Sequence, residues 1–387
     1  MGSEPPQIWF WQTEVTPHMA GLVSVLANLG CEVMYVANQT VSTGRATQGW
    51  IQPSMGSARL ELAPTAQATR ELAEAAPLDS VHVIQGLRGH GLVGEAQCVL
   101  MRRDLRLWVV MESVDDEGWR GVFRRLEYDR LVWRLRGNLQ GILATGYRTP
   151  DWIVARGMPV DRVFPFAYFL SDMAVSSPIY RPLDGRYRII FVGQCIRRKR
   201  LDLLVEAIKQ LSVDDVELTV IGSGPLENEW RSMAEAALPG RVHWLGRLAM
   251  NEVTSYMIAA DCLVLPSRHD GWGAVVSEAL MVGTPAICSD ACGVAGVVRE
   301  SGYGSVFPVG DVDALVRCLE RMCSRGSLGN QARRELASWA RCLGANAGAD
   351  YLSRIFAYSE GSAQRPRPPW ESIVNRSISL PVCSDGI

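Results

Sequence analysis

The chain has 387 residues, of which 48% are hydrophobic and 21% charged, and its formal net charge is -2. That length is too great for one ordinary core, so two globular domains of roughly 150–200 residues each are expected. The near-zero charge gives no electrostatic case for nucleic acid as a partner, and no stretch approaches the ~18 apolar residues of a membrane span.

The first residues, Met1 to Gln7, are polar and contain proline, unlike a secretory leader. Ile8–Gln12 is a short apolar strand. Ala20–Leu29 has helical spacing and stops at Gly30, and Glu32–Ala37 is a second strand. Further strands are expected at Val81–Gln85, Leu105–Met111 and Gly141–Thr145, with helices at Ala66–Ala75 and Phe123–Arg136 among them. Strands separated by helices indicate parallel β-α-β units.

A boundary is expected near residues 172–186, where Ser176-Ser177-Pro178 and Arg181-Pro182-Leu183-Asp184-Gly185 are turn chemistry. The alternation then restarts. Strands fall at Tyr187–Val192, Glu217–Ile221, Val242–Leu245, Cys262–Pro266 and Pro285–Ser289. Helices fall at Leu201–Leu211, Leu226–Ala237, Val253–Ala259 and Val275–Met281. The fold class is therefore α/β with two doubly wound, Rossmann-like domains facing a cleft. Gln331 to Glu360 is helical again, and 361–387 is expected to be extended or disordered.

Ten cysteines occur, at 31, 98, 195, 262, 288, 292, 318, 323, 342 and 383, and none forms a C-x-x-C pair. Cys288 and Cys292 have no histidine nearby, so neither a zinc site nor any other metal is expected. A reduced, cytoplasmic protein is the ordinary reading.

Ligands of doubly wound sheets bind beyond the carboxyl ends of the strands. Three segments sit there. Gly193-Gln194-Cys195-Ile196-Arg197-Arg198-Lys199-Arg200 ends a strand and places cations where a diphosphate could be neutralised. Gly222-Ser223-Gly224 allows close backbone approach, although a plain tight turn would look the same. Asp270-Gly271-Trp272-Gly273-Ala274-Val275 opens a helix whose amides would face an anion, and Glu278 follows one turn in. Its neighbours are mostly small or apolar, so a carboxylate there wants a partner.

The Asp270…Glu278 stretch resembles the E-x7-E signature of retaining glycosyltransferase family four, with the acids eight positions apart. Gly283-Thr284-Pro285-Ala286-Ile287-Cys288-Ser289-Asp290 resembles the family's downstream segment, and the likeness is good over about residues 187–315. The resemblance implies the two-domain GT-B architecture. An acceptor-binding domain would span 1–175 and a nucleotide-sugar donor domain 186–345, with a helix at 346–360 packing back on the first domain.

By position, Lys199 is similar to the lysine that grips the donor diphosphate, and Glu278 to the acid that holds the ribose. Asp270 is similar to the first signature acid, beside the donor sugar, and Gly246 to the segment that meets the nucleobase. The chain departs from the pattern at Asp270, where glutamate is usual, and at Gln194, where arginine is usual. Arg197 or Arg198 could supply the missing charge. On the first-half side, His18, His90 and Glu112 each follow a strand and are candidates to line the acceptor side, His18 also as a phosphate contact.

The implied activity is retaining transfer of a sugar from a UDP- or GDP-sugar to a glycan or lipid-linked acceptor, in cell-surface polysaccharide or glycolipid synthesis and without cofactor or metal. The arginines of Phe123–Arg136, set among apolar residues, could rest on an anionic membrane as well as form an ordinary surface helix. The alternative reading is a non-catalytic nucleotide-sugar binder. A dinucleotide oxidoreductase is disfavoured, because neither half has the full glycine fingerprint with an acid about 20 residues on.

Overall fold

The computed structural model describes residues 7–42, 52–89, 91–171, 185–212 and 215–371. The first half contains strands β1 (Ile8–Glu14), β2 (Val33–Gln39), β3 (Arg59–Leu62), β4 (Val81–Gln85), β5 (Arg106–Glu112), β6 (Leu139–Thr145) and β7 (Val163–Phe166). Its helices are α1 (Pro17–Asn28), α2 (Ala66–Ala75), α3 (Leu92–Arg102), α4 (Gly118–Leu135) and α5 (Thr149–Val154). The second half has β8 (Tyr187–Val192), β9 (Val216–Ile221), β10 (Val242–Gly246), β11 (Cys262–Leu265), β12 (Ala286–Ser289) and β13 (Ser305–Phe307). Between and after them come α6 (Leu201–Lys209), α7 (Glu227–Ala237), α8 (Met250–Ala259), α9 (Ala274–Met281), α10 (Ala295–Glu300), α11 (Val312–Arg325), α12 (Asn330–Trp339) and α13 (Ala345–Ser359).

Each half is one parallel sheet. The strand orders are β3-β2-β1-β4-β5-β6-β7 and β10-β9-β8-β11-β12-β13. Central strands such as β1, with Ile8 to Gln12 all buried, are covered on both faces by helices, which is why they read as continuous apolar runs. Local chemistry fixes helix starts. The Thr16 hydroxyl accepts from Met19 N–H with Pro17 at the first helical position, and Asp311 caps α11 by accepting from Ala314 N–H. In both sheets the strand order reverses once, between β1 and β4 and between β8 and β11. Those reversals open crevices at the carboxyl ends, where the loops diverge.

The two sheets share a continuous apolar core that includes Phe166, Phe169, Trp272, Leu343 and Trp370. Backbone bonds also join them: Tyr147 N–H donates to Gly293 O at 2.7 Å, and Leu170 N–H to Leu343 O at 2.9 Å. Helix α13 lies against the first half, where Tyr351 Oη donates to Pro165 O at 3.1 Å and Phe356 meets Trp108 with ring centroids 5.3 Å apart.

The expected domain junction falls mostly on residues 172–184, outside the described residues. So does the tail from 372 onward. Residues 361–371 have neither helix nor strand, but they are docked. Trp370 is 8% exposed, and Arg365 donates to Val160 O at 2.8 Å and Val163 O at 2.7 Å. Helix α4 begins five residues before the expected Phe123 and is two-faced. Gly121, Tyr128, Val132 and Leu135 are buried, whereas Trp119, Val122, Phe123, Leu126 and Trp133 are exposed.

Candidate functional site

A cleft of about 880 Å³ opens where the loops after β1, β4 and β5 face those after β8 and β11. Gly193, Arg198, Lys199, Asp270, Trp272, Gly273, Ala274, Val275 and Glu278 line its second-half wall, as does Gln194. His18 and Glu112 line the opposite wall. Arg197, Gly222, Gly224, Gly246 and Gly271, expected at the ligand, are not part of the wall. His90 lies outside the described residues.

The centre of the second-half wall is an ion pair. Lys199 Nζ donates to Asp270 Oδ2 at 2.6 Å, with both side chains 13% exposed. Arg198 stands beside it, donating to His269 O at 2.8 Å with its guanidinium 3.7 Å from Asp270. The backbone knits the two loops together through Arg268 N–H to Arg198 O at 2.7 Å. Arg198 lines the cleft and Arg197 does not.

Asp270 is fixed by its own backbone. Its N–H donates to Ala291 O at 3.2 Å, and its carbonyl accepts from Gly293 N–H at 2.9 Å. Gly273 then takes a positive φ of 96° and caps α9, turning the helix's first amides toward the cleft. Trp272 also lines this wall. Its indole is 2% exposed and turned into the core, where Nε1 donates to Ser277 Oγ at 3.0 Å. It anchors the turn rather than offering a ring to a ligand.

Glu278 projects from α9 into the same wall. Burial pushes its carboxyl up to about 7, and among the described residues it forms no ion pair. A carboxylate held this way is suited to accept from ligand hydroxyls. Among the described residues no three His, Cys, Asp or Glu side chains are grouped to hold a metal ion.

Gly222 and Gly224 serve the backbone. A Cβ on Gly222 would stand 1.9 Å from Gly193 O, and one on Gly224 2.6 Å from Cys195 O. The β9 loop can lie against the cation-bearing β8 loop only because both positions lack a side chain.

Across the cleft, Glu112 meets the signature turn directly. A Cβ on Gly271 would fall 1.9 Å from Glu112 Oε2. His18 stacks on Tyr168 with centroids 4.7 Å apart and planes 7° from parallel. Asp116, a few residues beyond Glu112, accepts from Trp152 Nε1 at 2.9 Å and from Arg125 at 3.2 Å. Residues that sequence reading missed at this wall include Gln85, Arg88, Tyr128 and Tyr168. None belongs to a local motif.

Residues 176–339 match the family model described as glycosyl transferases group 1. Over 144 residues the chain is 30% identical to the 2-deoxystreptamine glucosyltransferase of Streptomyces kanamyceticus, covering 36% of this chain and 37% of the relative. Over 238 residues it is 26% identical to the lipopolysaccharide core biosynthesis glycosyltransferase LpsE of Rhizobium meliloti, covering 58% and 66%. The chain spans only about a third to a half of the length of this first relative and of three other curated relatives it matches, 33% to 47%. In fold it is similar to HepE of Anabaena, solved in complex with UDP (TM-score 0.70, 11% identity, 91% of this chain and 100% of that one). It is also similar to the lipopolysaccharide outer core galactosyltransferase WaaB in its apo form (TM-score 0.69, 14% identity, 92% and 99%). The matched stretch takes in β8 to α12, and the fold of the whole is of the GT-B type. No helix among the described residues is long and apolar enough to cross a membrane.

Proposed function

We propose that the protein is a retaining glycosyltransferase that moves a sugar from a UDP- or GDP-sugar to a glycan or lipid-linked acceptor in cell-surface polysaccharide or glycolipid synthesis. The observation that carries this reading is the grouping of Lys199, Arg198, Asp270 and Glu278 on one wall, above the amino end of α9. Lys199, Arg198 and the first amides of α9 neutralise the departing diphosphate, and Glu278 accepts from the ribose hydroxyls. The bond from the anomeric carbon to the phosphate oxygen breaks, its electron pair leaving with the diphosphate. The acceptor oxygen bonds to the anomeric carbon on the same face, and its proton passes to the departing phosphate oxygen. Asp270 lies beside the reacting sugar. These cations take the role a divalent metal fills elsewhere, so the reaction needs none. The relatives named for polysaccharide and lipopolysaccharide synthesis, and the UDP bound to HepE, support the donor and acceptor classes.

Differential scanning fluorimetry against UDP, GDP and their sugars tests the donor site. A rise of several degrees with one base, unchanged by EDTA and absent in Glu278→Ala, is expected. Absence of any shift at millimolar nucleotide would overturn the reading.

A further inference from the structure

The wall opposite the donor loops carries a second set of cations. Arg88, from the turn after β4, and Arg124, from α4, both line the cleft, and both guanidiniums act electrostatically on the Tyr128 phenol. Arg88 lies 5.0 Å over the Tyr128 ring, and its Nη2 donates to Glu127 at 2.6 Å, but its buried Nε has no hydrogen-bond partner. Arg124 is partly buried, yet it makes neither an ion pair nor a hydrogen bond with another described residue. Gln85 stands on the same wall. Its Oε1 already accepts from Thr13 N–H and from the Thr13 hydroxyl, so its amide N–H groups are left to donate.

A partly desolvated guanidinium without a counter-charge is costly, and its planar donors match phosphate and carboxylate oxygens. One of the two positive charges is balanced by Glu127, and the other is not. Lys199 and Arg198, on the facing wall, already serve the donor diphosphate in the proposed reading.

We propose that the acceptor bears an anionic group, a phosphate or a carboxylate, held by Arg88 and Arg124 beside Tyr128 with Gln85 donating to it. This rests on the glycosyltransferase reading. A neutral acceptor would leave Arg124 without a counter-charge among the described residues of the cleft.

The test is titration calorimetry on protein saturated with UDP or GDP. Decyl phosphate is compared with decyl glucoside, and methyl glucuronide with methyl glucoside. Binding at least tenfold tighter for the anionic member of one pair is expected, and that pair identifies phosphate or carboxylate. Arg124→Gln should abolish the preference and Arg124→Lys should restore part of it, with nucleotide affinity unchanged within twofold. No preference in either pair, while nucleotide binds, would overturn this inference alone. An equal loss of nucleotide affinity in Arg124→Gln would also overturn it, by moving the arginine to the donor. Failure of the wild type to bind any nucleotide would bring down the glycosyltransferase reading, and this inference with it.

Discussion

At the scale of single residues, Glu278 and Asp270 show how the same acid chemistry is set to two purposes by surroundings. Asp270 has Lys199 at 2.6 Å, whereas Glu278 has burial alone, and its carboxyl rises to about 7. In the unfolded chain a glutamate titrates near 4.5. Between those two values the unfolded state releases its proton first, so the folded state loses stability as pH rises, by about 3 kcal/mol in total. Glu278→Gln is therefore expected to be more stable than the wild type at pH 8, with the difference disappearing below pH 4. Urea unfolding at the two pH values measures it. In the proposed reading ribose hydroxyls donate to the ionised carboxylate, so wild-type nucleotide affinity should tighten from pH 6 to pH 8, and the glutamine variant should lose that trend. A variant with wild-type stability at pH 8 would show that Glu278 is already solvated.

At the scale of elements, α4 presents two faces of different character. Its buried stripe packs on the first sheet and ends at the cleft with Tyr128, while Trp119, Phe123, Leu126 and Trp133 form an exposed stripe on the opposite face. Exposed Arg120, Arg130 and Arg134 accompany that stripe. Large aromatic groups beside cations suit an anionic bilayer surface. The protein is expected to sediment with vesicles containing phosphatidylglycerol and not with pure phosphatidylcholine. Trp119→Ser combined with Trp133→Ser should reduce that binding at least tenfold while leaving nucleotide affinity unchanged. Equal binding to neutral and anionic vesicles, or no effect of the double substitution, would refute this role.

The arginines of α4 and the apolar residues among them were visible in the sequence, whereas Trp119, before the expected helix start, and the outward direction of the stripe appear only in the fold. The same division runs through the other elements. The central strands are long apolar runs and could be read directly. β3, β7 and β13 are edge or near-edge strands of three or four residues, and β3 has no buried residue to mark it. The donor-side residues follow one another along two loops, so local spacing brings Lys199, Asp270 and Glu278 to notice. The facing wall is assembled from three stretches far apart in the chain, Gln85 with Arg88, Arg124 with Tyr128, and Tyr168, and no local pattern announces it.

At the scale of the whole molecule, the short segment after α13 ties the two halves together. Trp370 packs between Phe169 of the first half, with centroids 6.4 Å apart, and Trp272 of the signature turn, at 6.2 Å. Trp272 in turn accepts from Val294 N–H at its carbonyl and donates to Ser277 from its indole, so the Trp370 ring supports the loop that carries Asp270. This ring therefore contributes both to stability and to the geometry of the donor wall. Trp370→Ala removes a side chain only 8% exposed, and such cavities cost roughly 3–5 kcal/mol. A lower melting temperature is expected, together with a several-fold loss of nucleotide affinity measured well below the new transition. Trp370→Phe, which refills most of the volume, should recover both. If affinity were untouched while stability fell, the turn would owe its position to its own hydrogen bonds, Asp270 N–H to Ala291 O and Gly293 N–H to Asp270 O, and the staple would act on the fold alone.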